Sequence, residues 1–450
     1  MTLAVRGGTV VTARGSERAD VFVEDGRITR VGRVPTAVRE LDATGLLVLP
    51  GCVDLHTHLA STPTWAPLDD FAHGTRAAIA GGVTTVVSMV YQEDGSLRRG
   101  IERGLRDAES SLCDFAFHCV VTDPSADAIA ELPSLVADGH AGLKVFMVAK
   151  RFVERTDDFL ALYAAAARSR IVVAVHAEDY LLIERSTAAL HLAGKTGVAY
   201  FPASRPVEAE VGAVRAAVKH AAATGATIYL VHLSSAAAFD EVRRAKSERR
   251  RVFGETRPLY LYLTREKFER ADAALWVGQP PLREQADVYA AWRALADGTI
   301  DTVGTDHIPR SRADKLASGL TFDKIPPGVA NLETLLPMLY SEGVRKERLT
   351  VERMVALLAT NPARIAGLRG KGEIAVGNDA DIVLFDPTTT RTIHAAEMHS
   401  ACDYDPYEGW VVTGWPRTVL LRGEIAYDRG EIRARPVGPI GRFVPRAPLS

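Results

Sequence analysis

The stretch Ala141-Gly142-Leu143-Lys144-Val145-Phe146-Met147-Val148 reads as a buried β-strand with one misfit. A lysine ammonium among Leu143, Val145, Phe146 and Met147 is costly to bury unless a partner pairs with it or its chemistry is changed. Polar residues in comparable positions recur along the chain. Asp54, His56 and His58 close an apolar run upstream, and His176, His232 and Asp306 each stand at the end of a strand-like run downstream. Imidazole and carboxylate are ligands that divalent metals such as zinc accept, so the group has the composition of a two-metal hydrolytic centre.

Working outward from Lys144, strand and helix patterns alternate eight times. The strand candidates are LVLPGCVDLH (47–56), GVTTVVSMV (82–90), CDFAFHCVV (113–121), AGLKVFMV (141–148), IVVAVHAE (171–178), ATIYLVHLS (226–234), VFGETRPLYL (252–261) and IDTVGTDHIP (300–309). Amphipathic helical runs separate them, among them 69–81, 96–111, 207–225 and 283–298. Near-continuous apolar strands alternating with helices predict an α/β fold of the (β/α)8 TIM-barrel type. Residues 1–51 and 372–435 have a different texture, short alternating strands with Gly turns such as Glu24-Asp25-Gly26. They predict a small β-sandwich built from both chain ends around a barrel at 52–371, with a Gly/Pro-rich tail at 436–450.

Barrel enzymes collect their reactive groups at the C-terminal ends of the strands. His56 and His58 fall on strand 1, Lys144 on strand 4, His176 on strand 5, His232 on strand 6 and Asp306 on strand 8, each at or near that end. Residues two apart on a strand point to the same side, so one strand presents two imidazoles to one cation. Each residue has a plain structural reading when taken alone: Asp54 as a turn residue, Asp306 as a helix cap, Lys144 as an ion-paired lysine. Unrelated core histidines, however, have no reason to gather at the same end of several strands. An ammonium cannot bind a cation, but a neutral amine that has taken up carbon dioxide is a carbamate able to bridge two metals. His118 reads instead as a hydrogen-bonded core residue, and His73, His140, His191, His220, His394 and His399 as helix, loop or surface positions.

Composition narrows the partners. The 450 residues carry a net charge of −2 with scattered basic residues, so no footprint for nucleic acid is visible. No apolar run is long enough for a membrane span, and the N-terminus lacks the apolar core of an export signal. Four dispersed cysteines, Cys52, Cys113, Cys119 and Cys402, read as small buried hydrophobes in a reducing compartment. A soluble cytoplasmic protein acting on a small molecule is the expectation.

Longer motifs run the length of the chain: Gly51–Leu59 (GCVDLHTHL), Ser204–Glu210 (SRPVEAE), Gly254–Thr256 (GET), Pro280–Glu284 (PPLRE), Val303–His307 (VGTDH), Leu336–Val344 (LPMLYSEGV), Thr360–Ala363 (TNPA), Val376–Pro387 (VGNDADIVLFDP) and Asp403–Trp410 (DYDPYEGW). With these motifs the chain resembles the cyclic amidohydrolases of the hydantoinase and dihydropyrimidinase branch. The resemblance implies that His56, His58, Lys144 and Asp306 hold one divalent metal, and that Lys144, as a carboxylysine, bridges to a second held by His176 and His232. It implies a zinc pair, Asp306 as the group that moves the proton, His307 as its support, and a homo-oligomer, dimer or tetramer. The reaction implied is opening of a cyclic amide or ureide to an N-carbamoyl amino acid by a hydroxide bridging the metals. Allantoinase-like enzymes and dihydroorotases fit less well, because Leu59-Ala60 follows the His-Thr-His motif where dihydroorotases carry an arginine. The neuronal scaffold relatives have lost metal ligands that this chain keeps.

Three positions depart from the family pattern. Ala149 stands where hydantoinases have a tyrosine that holds the carbonyl oxygen, Gln279 where a serine precedes Pro-Pro-Leu-Arg, and Pro327 where an asparagine is expected. These departures predict an intact hydrolytic centre with an altered substrate pocket. Two alternatives stay open: an allantoinase-like or other cyclic-imide amidohydrolase, and, given the loss at Ala149, a metal-containing scaffold with little activity.

Overall fold

The computed structural model describes residues 2–433 and 440–449. Its centre is a sheet of eight parallel strands that neighbour one another in chain order: β1 (Cys52–Thr57), β2 (Val83–Tyr91), β3 (Asp114–Val120), β4 (Gly142–Phe146), β5 (Val172–His176), β6 (Thr227–Leu230), β7 (Val252–Thr256) and β8 (Thr302–Val303). The sheet closes on itself where the His58 amide donates to the His307 carbonyl at 3.0 Å beside a parallel bridge from Thr57 to His307. Asp54 reinforces the seam by accepting the Thr305 amide and hydroxyl. Helices cover the outside. Phe71–Ala80 and Leu97–Asp107 start on the Asp70 and Ser96 side-chain caps, and Val207–Thr224 stops at Gly225 in the left-handed conformation. The predicted (β/α)8 barrel is therefore present.

The sandwich is present as well, with an unequal contribution from the two ends. One sheet, ordered Arg27–Gly32, Asp20–Glu24, Thr2–Arg6, Arg39–Asp42, comes from the first segment alone. The other joins Thr9–Thr12, Gly15–Arg18 and Leu47–Pro50 to Ile382–Thr392, Val411–Leu421, Glu424–Asp428 and Glu431–Ile432. Val5, Val10, Val23, Ile28, Val48, Ile382, Leu384 and Leu420 form the core between them.

Two strand expectations need correction. The run 47–56 is two strands: Leu47–Pro50 pairs with Ile382–Thr392 in the sandwich, and β1 begins at Cys52 in the barrel. The break falls at Gly51, where a Cβ would sit 2.1 Å from the Thr84 hydroxyl, so only glycine lets the chain pass from one domain to the other. The run 252–261 stops as a strand at Thr256, and Pro258–Tyr262 is helical. Proline has no N–H for a strand ladder but suits the first turn of a helix. His140 lies on a loop and is buried, its ring 4.7 Å from that of Phe443.

Of the tail expected at 436–450, residues 436–439 and 450 lie outside the described residues. The segment 440–449 lies across the N-terminal end of its own barrel, with Val444 donating to Phe115 and Arg446 to Gly139. The Arg446 guanidinium is fully buried, donating to the Ala366 and Phe117 carbonyls at 2.9 and 2.7 Å and lying 3.2 Å from His118 Nδ1. It occupies the space a side chain at Gly142 would take.

Lys371 ties the two domains together. Its ammonium lies 2.5 Å from Asp114 at the start of β3, and 3.0 and 2.6 Å from Asp379 and Asp381 at the entry to the sandwich. The three carboxylates are buried, with Arg422 and Arg442 adding positive charge. Replacing Lys371 by methionine strands these carboxylates. The expected cost is about 3–5 kcal/mol, read as a lower midpoint in denaturant unfolding.

Candidate metal centre

At the C-terminal mouth of the barrel lies a cavity of about 240 Å3 lined by His56, His58, His176, His232 and Asp306, together with Tyr91, Phe146, Gln279, Arg310 and Pro327. Lys144 is fully buried, its Nζ 3.5 Å from His56 Nε2. All six expected ligand positions thus meet in one place. Asp54 does not join them, because its carboxylate is engaged along the barrel seam.

His56, His58 and Asp306 form the tightest group: Asp306 Oδ1 is 3.3 Å from His56 Nε2 and 3.2 Å from His58 Nε2. His56 Nδ1 lies 2.7 Å from Glu255 Oε1, so the ring proton resides on Nδ1 and the Nε2 lone pair faces Asp306. A lone pair aimed at a carboxylate is a repulsive arrangement that a cation between them would relieve. The second pair behaves alike. His176 Nε2 lies 2.8 Å from Glu178, which leaves its Nδ1 lone pair toward His232 Nε2 at 3.0 Å. These donors fit divalent metals.

Backbone geometry aims two of the ligands. His232 and Asp306 have positive φ, 44° and 49°, just beyond β6 and β8. Non-glycine residues rarely adopt this conformation, which costs of order 1–3 kcal/mol and clusters at functional sites.

The electrostatics follow from burial. Desolvation, then the nearby Lys144 charge, holds His56 well below the usual imidazole range, and His176 and His232 are also lowered chiefly by burial. Neutral rings are the metal-binding form. Burial opposes ionisation of Asp306, yet Arg257, whose Nη1 is 2.7 Å from Oδ2, outweighs it with His56 and His58, and the carboxyl stays well below its ordinary range. Burial pushes Lys144 down to about 8, raising the share of neutral amine able to add carbon dioxide.

The family-level comparisons agree with this geometry. The amidohydrolase family model matches residues 47–426. The chain belongs to the amidohydrolase family, in its hydantoinase and dihydropyrimidinase branch. It is 38% identical to a D-hydantoinase of Ralstonia pickettii over 457 residues, 99% of each chain. It is also 38% identical to a D-hydantoinase of Rhizobium radiobacter over 448 residues, 96% of each. The crystal structure of dihydropyrimidinase from Brevibacillus agri superposes with a TM-score of 0.95 at 36% identity, covering 100% of both chains. Family members are metal-dependent, and His56, His58 and Asp306 form the candidate site for that metal.

The substrate-side positions divide. Gln279 and Pro327 line the cavity. Ala149 caps the short helix Lys150–Glu154 and is outside the lining. Sequence reading gave no role to Arg257, Glu178 or Arg310, and noted Glu255 only as part of the Gly254–Thr256 motif. For Glu255 a signal was available, a lone carboxylate within the apolar run of β7, of the same kind that drew attention to Lys144.

Glu255 supports two ligands at once, accepting also the His232 amide at 3.1 Å. Glu255→Gln keeps the shape but removes the charge that holds the His56 proton on Nδ1. Metal affinity should fall about 10–100-fold, measured by competition with a chromogenic chelator.

Proposed function

We propose that this protein is a metal-dependent hydrolase that opens a cyclic amide or ureide to an N-carbamoyl acid. The convergence of His56, His58, His176, His232 and Asp306 over the buried Lys144 carries the reading, in a chain that matches D-hydantoinases from end to end. His56, His58 and Asp306 would hold one divalent ion and His176 and His232 a second. Lys144, as N6-carboxylysine, would lie between them, and zinc suits this donor set. When bound, the metal pair lowers the pKa of a water and polarises the carbonyl under attack.

Asp306 accepts the proton released by the attacking water and returns it to the leaving ring nitrogen as the C–N bond breaks. Oxygen thus adds to the carbonyl carbon and hydrogen to nitrogen, and a cyclic ureide becomes a carboxylate with an N-carbamoyl arm. Arg257 keeps Asp306 ionised and oriented, so the carboxylate starts in its base form. His307 supports it from behind, its Nε2 held 2.8 Å from Asp69 and its Nδ1 accepting the Asn331 amide.

The pocket is altered on its substrate side. With Ala149 in place of the family's tyrosine, we assign its carbonyl-holding role to Tyr91, which lines the cavity stacked on Phe146. Burial pushes the Tyr91 phenol up to about 12, so it is a proton donor throughout the working range. Gln279 offers an amide to the ring, whereas Pro327 has no side-chain hydrogen bond to give. All four cysteines are free and buried, in keeping with a cytoplasmic protein, and no helix among the described residues is long and apolar enough to cross a membrane. We place it there as a homo-oligomer, dimer or tetramer.

Purified metal-replete protein should open hydantoins or dihydropyrimidines, and chelation should abolish turnover that divalent metal restores; metal content without turnover over a broad cyclic-amide panel would point to a scaffold. Lys144→Ala should bind fewer than two metal ions per chain by elemental analysis and lose activity with them. Tyr91→Phe should keep the metal content of the parent and lower kcat by about 100-fold or more, the usual loss for one oxyanion donor.

A further inference from the structure

Among the described residues Arg310 makes no salt bridge, and Asp314 acts on it only as a nearby negative charge. Arg310 follows Asp306 by four residues on the loop after β8 and lines the same cavity. Its guanidinium lies 3.9 Å above the Trp65 ring, and Nε makes one long hydrogen bond, 3.5 Å, to the Pro327 carbonyl. Among the described residues no carboxylate lies within ion-pair distance of it. The other arginines around the site are engaged: Arg257 with Asp306, Arg205 with Glu178. Among the described residues the one carboxylate lining the cavity, Asp306, is already committed to Arg257 and the histidines.

A guanidinium packed on an aromatic ring in the wall of a cavity is suited to a planar bidentate acceptor. We infer that Arg310 is a specificity residue that binds a carboxylate on the ring substituent of the substrate, so that the preferred substrates are cyclic ureides or amides bearing a short acidic arm. The inference rests on the hydrolytic reading above. A single guanidinium matches a single negative charge, whereas a phosphate dianion would need a second cation, and among the described residues no lysine or second arginine lines the cavity. The arm is short because the cavity, at about 240 Å3, is smaller than the roughly 300–1,000 Å3 typical of drug-sized ligands.

The test compares hydantoin carrying a carboxymethyl group at C5 with its primary amide, equal in shape and uncharged. The metal-replete parent should favour the acid in kcat/KM by about 10- to 100-fold, the span expected of a charge-assisted hydrogen bond, and the difference should lie in KM. Arg310→Met, which keeps a flexible apolar contact with Trp65, should bring that ratio close to one, and Arg310→Lys should restore part of it. Calorimetry on metal-stripped protein should show the same preference in Kd. A parent that opens the amide as readily as the acid overturns the inference and leaves the hydrolytic reading intact. A preference in Kd without turnover of either ring overturns the hydrolytic reading and leaves the assignment of Arg310 standing. If neither probe is opened or bound, both fall. If Arg310→Met lowers kcat equally on both probes with the ratio unchanged, Arg310 serves turnover rather than selection, and the inference is wrong.

Discussion

One buried carboxylate governs the centre without belonging to it. Glu255 accepts hydrogen bonds from the His56 ring on β1, the His232 amide beyond β6 and the Tyr229 hydroxyl of β6. Fixing the His56 proton on Nδ1 leaves Nε2 as a lone-pair donor toward the cavity, and holding the His232 amide sets where that strand ends. Burial pushes Glu255 up to about 7, a cost that these donors and the nearby Lys144 charge offset only in part. Space for it exists because position 304 is glycine, where a Cβ would come 2.2 Å from Glu255 Oε2. The ligand geometry therefore depends on a glycine and a glutamate, neither of which would touch the metal.

The same principle extends to the strained ends of the strands. His232 and Asp306 adopt positive φ, a conformation costing about 1–3 kcal/mol each. Charge-assisted hydrogen bonds, typically about 1.5–3 kcal/mol, hold the surrounding frame: Arg257 on Asp306, Glu255 on the His232 amide. Strain and restraint are thus of similar size, and the cavity is shaped before any ligand arrives. This is the preorganisation that electrostatic catalysis requires.

Much of the architecture was legible because it is periodic. Buried parallel strands write themselves as apolar runs, and a lysine or histidine inside such a run stands out, which is how Lys144, His176 and His232 came to notice. Boundaries were harder, because Gly51 and Pro258 act through local geometry: one lets the chain pass beneath Thr84, the other turns a strand-like composition into a helix. Arg257 and Arg310 were invisible for another reason. An arginine reads as a solvated side chain until the fold shows what surrounds it, and the two have opposite surroundings, one clamped to Asp306 and the other lining the cavity. Ala149 illustrates the converse: the missing tyrosine was readable, but its place outside the cavity lining was not.

The pairing of Leu47–Pro50 with Ile382–Thr392 joins strands from opposite sides of the barrel sequence. During synthesis the earlier strand can take up Thr9–Thr12 on one side at once, but its other edge waits until the whole barrel and the returning strand have left the ribosome. The nascent chain therefore carries an open sheet edge through most of its own production. Non-local pairing of this kind forms slowly and exposes the chain to aggregation meanwhile, so yield in a cell is governed by how that interval is protected as much as by the stability of the finished fold.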